Sequence, residues 1–314
     1  MWGFAFADAG AARVSTCEET PAEGFRWLHL NLADQGTRHW IATCDELTDG
    51  VRELLLSAET HQHALIDGDV VGCVLHDLER DFDVVDTARV GALRVALAPR
   101  LIVTARHHPL RSADIVKERL TRGPPLDGPA AALDLVVGTI AGIVAGLGRE
   151  MSLAVQEAED AFLEGLDAPT TRTLIGIRRR LAQLHRLTDG MRGVFVRLEE
   201  DEDLPAALLA TVARLSQRLS GLDGDLGGVQ SQLRLLRDEI DIQSGQRTNQ
   251  NLYVLSIMTA LMLPATLITG IFGMNTGGMP LERTSAGTFV ALMLALATAV
   301  GTYLVLRAMG LMRR

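Results

Sequence analysis

Residues 253–272, YVLSIMTALMLPATLITGIF, form a run of 20 residues without a charged side chain. A helix of this length spans about 30 Å, which matches the hydrocarbon core of a bilayer. A second apolar run of 20 residues covers 287–306, after a short loop. We therefore predict a membrane hairpin at 252–314, with spans at about 252–272 and 287–306, an outer loop at 273–286 and a short basic tail.

The charged residues are concentrated before this hairpin. The whole chain has a net charge of −9 and a mean hydropathy of +0.18. After residue 250 only Glu282 and four arginines are charged, so the first 250 residues carry −12. An acidic chain of this kind argues against nucleic acid as a partner. Cys17, Cys44 and Cys73 are too few and too scattered for a disulfide scaffold, which favours a reducing compartment.

Arginines flank the hairpin on one side of the predicted membrane. They are Arg234, Arg237 and Arg247 before the first span and Arg307, Arg313 and Arg314 after the second. The positive-inside rule then predicts a multi-pass membrane protein with both termini in the cytoplasm and the connecting loop outside. Residues 135–148 are also uncharged but short for a span. We interpret them as a buried helix. The alternative, a third span, would place the termini on opposite sides.

The residues before the hairpin predict an α+β domain followed by helices. Strand-like runs, alternating with helical patterns, cover 25–32, 69–78, 88–97 and 100–106. A breaker, RGPPLDGP at 122–129, separates domain 1–122 from a helical region at 123–251. In that region we predict a break at 167–169 and turns at 199–205 and 221–228. A last helix of about 45 residues would then form a stalk that enters the membrane.

The first span ends in Gly270-Ile-Phe-Gly273-Met274-Asn275, and the loop continues Thr-Gly-Gly-Met-Pro. Gly-Met-Asn at the outer end of the first of two C-terminal spans resembles the CorA superfamily of divalent metal ion transporters. The pattern Asn-x-Gly-Gly-x-Pro is similar to its zinc transport branch, ZntB. Met274 departs from that branch, where an aliphatic residue is common, and is the usual residue in magnesium transporters.

Further matches lie outside the motif. Residues 27–30 (WLHL) and 103–107 (VTARH) resemble two strands of the family's cytoplasmic domain, and Pro264 lies where the family usually has a proline. The resemblance implies an α/β/α sandwich, a stalk helix and a homopentameric funnel. It also implies a transporter rather than an enzyme, with no cofactor besides the transported ion.

One face of the first span is the candidate pore lining. Its residues recur at spacings of three and four, as one helix face requires: Asn249, Leu252, Ser256, Thr259, Leu263, Thr266 and Gly270. The leucines are candidate hydrophobic constrictions. The alternative for Ser256 and Thr259 is packing between helices.

Gly273, Met274 and Asn275 form the candidate outer selectivity element. An amide oxygen can accept hydrogen bonds from the water that a divalent cation holds, without stripping that water. On the stalk, Asp238, Glu239 and Asp241 either attract cations at the inner funnel or pair with nearby arginines.

Several other residues have the chemistry of metal ligands. His61, His63, Cys73 and His76 are zinc-type ligands, but they do not form a complete four-ligand pattern. We interpret them as ordinary strand residues, and His107 and His108 likewise. The acidic run 199–203 is interpreted as a solvated turn rather than a regulatory metal site.

The sequence thus predicts Zn²⁺ uptake, with the bilayer, divalent cations and further copies of the chain as partners. Mg²⁺, Ni²⁺ or Co²⁺ transport is the alternative within the family. A membrane-tethered sensor or adaptor is the alternative outside it, and the polar face of the first span argues against a mere anchor.

Overall fold

The N-terminal part of the chain is built on a seven-stranded sheet. The computed structural model describes residues 2–7, 10–13, 24–80, 89–164, 171–274 and 287–310. The strands are β1 (Trp2–Ala7), β2 (Gly10–Arg13), β3 (Phe25–Asn31), β4 (His63–Asp67), β5 (Val70–Leu78), β6 (Val90–Leu97) and β7 (Leu101–Arg106). Their order in the sheet is β2-β1-β3-β7-β6-β5-β4. The central pair, β3 and β7, is parallel, and the other neighbouring pairs are antiparallel.

Seven helices accompany the sheet or follow it in the described residues. They are α1 (Gln35–Thr43), α2 (Asp49–Leu56), α3 (Arg111–Arg122), α4 (Pro129–Leu163), α5 (Thr171–Glu200), α6 (Ala206–Gly273) and α7 (Gly287–Ala308). Local sequence explains several starts and stops. Asp34 caps α1 by accepting from the backbone N–H of Gly36 at 3.0 Å. Pro129 occupies the first turn of α4, where its missing N–H costs nothing.

Helices cover both faces of the sheet. Successive residues of β3 and β7 are buried regardless of the side they face, as in a sheet covered on both sides. On one face Leu28 and Val103 join a core cluster with Ile41 of α1 and Val51 of α2. On the other, Trp27 and Thr104 are buried, and α4 and α5 contact β7 and β5. The α/β soluble domain predicted from the sequence is confirmed.

The second face carries a hydrogen-bonded group from the two strands recognised in the sequence. Thr104 Oγ1 lies 3.0 Å from Trp27 Nε1 and 2.9 Å from His29 Nδ1. Arg106 Nε donates to His29 Nε2 at 3.0 Å, and the ring of Trp2 stacks on His29 at 4.8 Å. His29 is therefore held neutral, with its Nδ1–H donating to Thr104.

The predicted strands at 25–32, 69–78, 88–97 and 100–106 are confirmed as β3, β5, β6 and β7. The turn at Ala98 and Pro99 joins an antiparallel hairpin, as expected. Strands β1, β2 and β4 and helix α2 were not predicted. The aromatic alternation of β1, with Phe4 and Phe6 buried, was the signal available for it.

The helical region differs from the prediction at one place. Residues 221–228, expected to form a turn because of their glycines, are helical within α6. Leu222 and Leu226 are buried there, and Asp223 Oδ1 lies 2.8 Å from His185 Nδ1 of α5. Tertiary packing thus outweighs a glycine cost of about 1 kcal/mol per residue. The predicted turn is confirmed at 201–205, after α5 ends at Glu200, where Asp201 accepts from the N–H groups of Asp203 and Leu204.

The chain divides into two compact units, Met1–Arg237 and Asp238–Arg314. Three of the described helices are long and apolar enough to cross a membrane: α4, α6 and α7. They differ in burial. Half of the most apolar 18-residue stretch of α4 is buried, whereas no part of the corresponding stretches of α6 and α7 is buried. This difference favours the interpretation of 135–148 as a buried helix. The predicted break at 167–169 and the outer loop beyond Met274 lie outside the described residues.

Candidate cation pathway

The C-terminal part of α6 exposes apolar side chains around its whole circumference. The last buried residue of this helix is Leu236. Beyond it, Leu252 is 56% exposed and Leu263 67% exposed. An apolar surface of this extent is unfavourable in water and requires lipid or other protein to cover it.

The residues predicted to line the pore occupy one face of this helix. At about 100° per residue, the spacings of three and four place all seven within an arc of about 100°. Continued toward the N-terminus, the same arc includes Asp238 and Asp241. Glu239 lies on the opposite side of the helix. We call this arc of α6 the polar stripe. Of the three acids predicted as one group, Asp238 and Asp241 lie on it and Glu239 does not.

The hydroxyl groups on the stripe are held in one orientation. Those of Ser256, Thr259 and Thr266 each donate to the carbonyl four residues earlier, at 2.8 Å. Because this contact uses the hydroxyl proton, each oxygen presents lone pairs outward. A row of hydroxyl acceptors suits a cation or the water bound to it.

The outer end of α6 is described as far as Met274. Its backbone N–H donates to the carbonyl of Ile271 at 3.3 Å, and its side chain is 54% exposed. A Cβ added at Gly270 or Gly273 would meet no described atom within 4 Å, so packing within one chain does not require these glycines. Asn275 lies outside the described residues, and its role stays a prediction.

Helix α7 offers fewer polar groups. Thr298 and Thr302 donate their hydroxyl protons to carbonyls four residues earlier, at 3.0 and 2.9 Å. Thr288 and Tyr303 are its other polar side chains before Arg307, and the remaining residues of the helix are apolar.

The structure separates two of the predicted zinc-type ligands from each other. Cys73 and His76 are three residues apart in β5, so they face opposite sides of the sheet. Burial raises the pKa of the Cys73 thiol to about 12, which disfavours the thiolate that binds metal. The ring of His76 instead contacts the carbonyl of Thr60 at 2.6 Å. These two are structural residues, as expected.

His61 and His63, in contrast, are brought together. Their ring centroids are 4.4 Å apart, and Glu59 completes a group whose ligand atoms lie within 4.8 Å of one another. Sequence reasoning did not include Glu59. The signal that would have found it is the alternation Glu-x-His-x-His, which places three side chains on one side of an extended segment.

A basic cleft of about 910 Å³ lies beside this segment, between β5, β6 and α5. His61, His107 and His108 line it together with one acid, Glu79, and three arginines, Arg94, Arg179 and Arg186. Burial and the nearby Arg94 lower the pKa of His107. The positive lining is unsuited to a cation, which agrees with the interpretation that His107 and His108 are not metal ligands.

Comparisons with known proteins relate the whole chain to metal transporters. The family model described as CorA-like Mg²⁺ transporter protein matches residues 22–308. The zinc transport protein ZntB of Yersinia enterocolitica is 26% identical over 309 residues, which cover 94% of this chain and 91% of that protein. ZntB of an Enterobacter species is 25% identical over 283 residues, covering 86% and 83%.

Solved structures share the fold over nearly the full length. Full-length CmaX matches with a TM-score of 0.79 and 20% identity, covering 98% of this chain and 97% of that one. The CorA magnesium transporter from Methanocaldococcus jannaschii matches with a TM-score of 0.77 and 15% identity, covering 98% and 96%.

Proposed function

Because the chain belongs to the CorA-like Mg²⁺ transporter family, whose members are divalent-cation transporters and not enzymes, we propose that it takes up Zn²⁺ through a homopentameric pore lined by α6. The observation that carries this proposal is the polar stripe along residues 249–270 of α6, where most of the apolar side chains are exposed. The choice of Zn²⁺ rests on the curated relatives, which are zinc transport proteins and match most of the chain.

An oligomer is needed because two helices cannot enclose a water-filled path. A lone stripe of hydroxyl and amide groups facing lipid would cost free energy. When several copies meet along this stripe, its polar groups face one another and the remaining apolar surface faces lipid. The number of five copies follows from the family resemblance, which implies a homopentamer.

The geometry suits conduction of a hydrated cation. The outward lone pairs of Ser256, Thr259 and Thr266 accept hydrogen bonds from the water that the ion holds. Neutral oxygens bind weakly enough for release, which conduction requires. Leu252 and Leu263 from all copies would form two hydrophobic rings. The path closes when water leaves these rings.

We further propose that Asn275 selects cations at the outer mouth and that both termini lie in the cytoplasm of the bacterial inner membrane. An inside-negative potential then drives a divalent cation inward. This contribution is about 4.6 kcal/mol per 100 mV, twice the value for a single charge.

The test is zinc flux into liposomes that contain the purified protein and a zinc-sensitive dye. Asn275→Ala is expected to reduce the flux at least about tenfold, since an ordered polar ring at the mouth is lost. Gln250→Ala is the matched control, because this exposed glutamine also carries a carboxamide and lies on the opposite side of α6 from the stripe. Absence of flux in the wild type would favour the sensor alternative. Equal loss in both variants would refute the assigned mouth.

A competition series separates the metals. Zinc uptake is expected to persist in a large excess of Mg²⁺. If Mg²⁺ enters as readily as Zn²⁺ and blocks it, the pore assignment stands and the choice of Zn²⁺ is wrong. Met274 makes this comparison necessary, because it is the residue that favours the magnesium alternative.

A further inference from the structure

The segment between α2 and β4 is hydrogen-bonded to the sheet at four of its six residues, Ser57, Glu59, Thr60 and Gln62. Arg94, which is 1% exposed, donates through one nitrogen to the carbonyls of Ser57 and Glu59 at 2.9 and 2.8 Å. The ring of His76 contacts the carbonyl of Thr60 at 2.6 Å. A buried guanidinium is stable only when it is hydrogen-bonded, so this segment and the sheet stabilise each other.

Gln62 fixes the same segment from its other end. Its Oε1 accepts from the backbone N–H of His76 at 3.2 Å, and its Nε2 donates to the carbonyl of Leu187 in α5 at 3.2 Å. Gly190 gives the room for this contact, since a Cβ there would lie 2.0 Å from Gln62 Nε2. The backbone from 57 to 62 is therefore held in place before any ligand arrives.

With the backbone held, three alternate side chains point to one another on the surface. His61 Nδ1 lies 3.6 Å from Glu59 Oε2, and the imidazoles of His61 and His63 stack at 26°. His63 Nδ1 lies 3.0 Å from the carbonyl of His61. A carbonyl oxygen can only accept a hydrogen bond, so the ring nitrogen Nδ1 of His63 carries the proton. Its Nε2 then keeps a lone pair.

We propose that Glu59, His61 and His63 form a zinc-binding site in the soluble domain, separate from the pore. Two imidazoles and one carboxylate with an open fourth position is a common ligand set for zinc. Around a tetrahedral zinc, neighbouring ligand atoms are about 3.3 Å apart, and the described group lies within 4.8 Å. Small rotations of exposed side chains close that difference.

The charge of Glu59 is essential to this site. His61 lies at the edge of the cleft that Arg94, Arg179 and Arg186 also line, and these arginines oppose the approach of a cation. The carboxylate provides the negative charge that offsets this field, and the side chains of Glu59 and His61 are 63% and 64% exposed, so the ion can reach them. The site links zinc to helix α5, because Gln62 lies between two of the ligands and bonds to Leu187.

The experiment measures zinc bound per chain in the full-length protein, by metal analysis after equilibrium dialysis against micromolar Zn²⁺. The double variant His61→Ala/His63→Ala is expected to hold one zinc ion fewer per chain than the wild type. His39→Ala/His108→Ala is the matched control, since it also removes two exposed imidazoles, and should bind as the wild type does. Equal zinc content in all three proteins would overturn the proposal.

Two further measurements keep the result interpretable. Glu59→Gln is expected to raise the zinc concentration for half-saturation about tenfold or more and to leave the fold unchanged by tryptophan fluorescence. An unchanged half-saturation would exclude the carboxylate and with it the three-ligand site. Asn275→Ala should keep this zinc ion and His61→Ala/His63→Ala should keep liposome flux, so failure of the pore and failure of this site are distinguishable.

Discussion

Removal of the buried imidazole of His29 is expected to make the soluble domain less sensitive to acid. Burial, and next the nearby Arg106, lower the pKa of His29 from 6.5 to about 3. The ring accepts from Arg106 Nε at one nitrogen and donates to Thr104 Oγ1 from the other. Protonation would put two donors face to face and a second positive charge beside the guanidinium.

The sign follows from proton linkage. Between pH 6.5 and about 3 the unfolded chain binds a proton at this ring and the folded chain does not. The free energy of unfolding is therefore highest above pH 6.5 and falls as the pH drops toward 3. From about pH 7.5 to about pH 5 the loss from this one group is about 2 kcal/mol.

The three tryptophans make this measurable in the full-length protein. Trp2, Trp27 and Trp40 all precede residue 41, so their fluorescence in a urea titration reports the soluble domain alone. His29→Gln keeps an acceptor for Arg106 but has no titrating ring. Whatever its stability at neutral pH, its free energy of unfolding should fall by about 2 kcal/mol less over this interval than that of the wild type.

His108→Gln is the control, because His108 is an exposed histidine outside the hydrogen-bonded group. It should lose stability with pH as the wild type does. If His29→Gln and the wild type lose the same free energy between the two pH values, His29 is not held neutral by its surroundings and the reasoning fails.

Five other substitutions test three separate features. Asp77→Ala removes the buried carboxylate that accepts from a backbone N–H in the first turn of α3 at 3.0 Å, and should cost about 1–3 kcal/mol in the same urea titration; no loss would mean that the N–H finds another partner. Gly193→Ala, with open space for a Cβ, should stabilise α5 by about 0.5–1 kcal/mol. The free energy of unfolding of Gly190→Ala should be about 1–2 kcal/mol lower than that of Gly193→Ala, because the added methyl group displaces the hydrogen-bonded Gln62. Equal stabilities of the two variants would contradict this. In liposomes at low salt, Asp238→Asn should lower zinc uptake by up to about tenfold, whereas Glu239→Gln, on the opposite side of α6, should not; equal effects would show a diffuse field rather than a face of α6.

Much of the fold was accessible from the sequence because its signals are local. A charge-free run of 20 residues reports a span whatever surrounds it, and α6 and α7 contain the two predicted runs. The four predicted strands were recognisable because the buried strands of a covered sheet are continuously apolar. The family resemblance rested likewise on short motifs and on the length of the charge-free runs.

Other features depended on contacts between distant residues. The segment 221–228 has the composition of a turn and becomes helical because its leucines are buried and Asp223 pairs with His185. Spacing along the chain does not contain this fact. The separation of Cys73 from His76 is different, because it follows from the alternation of side chains along the strand predicted at 69–78.

The sequence by itself determined which two C-terminal runs are apolar enough to span a membrane, which face of the first run is polar and which family the chain resembles. The alternation Glu-x-His-x-His places these side chains on one side of an extended segment, but only the tertiary structure fixes that segment so that Glu59, His61 and His63 converge. Arg94 and His76 hold its backbone from β6 and β5, and Gln62 within the segment bonds to β5 and α5. Local patterns follow from the order of the residues, but a ligand group requires the backbone to be held by partners distant in sequence.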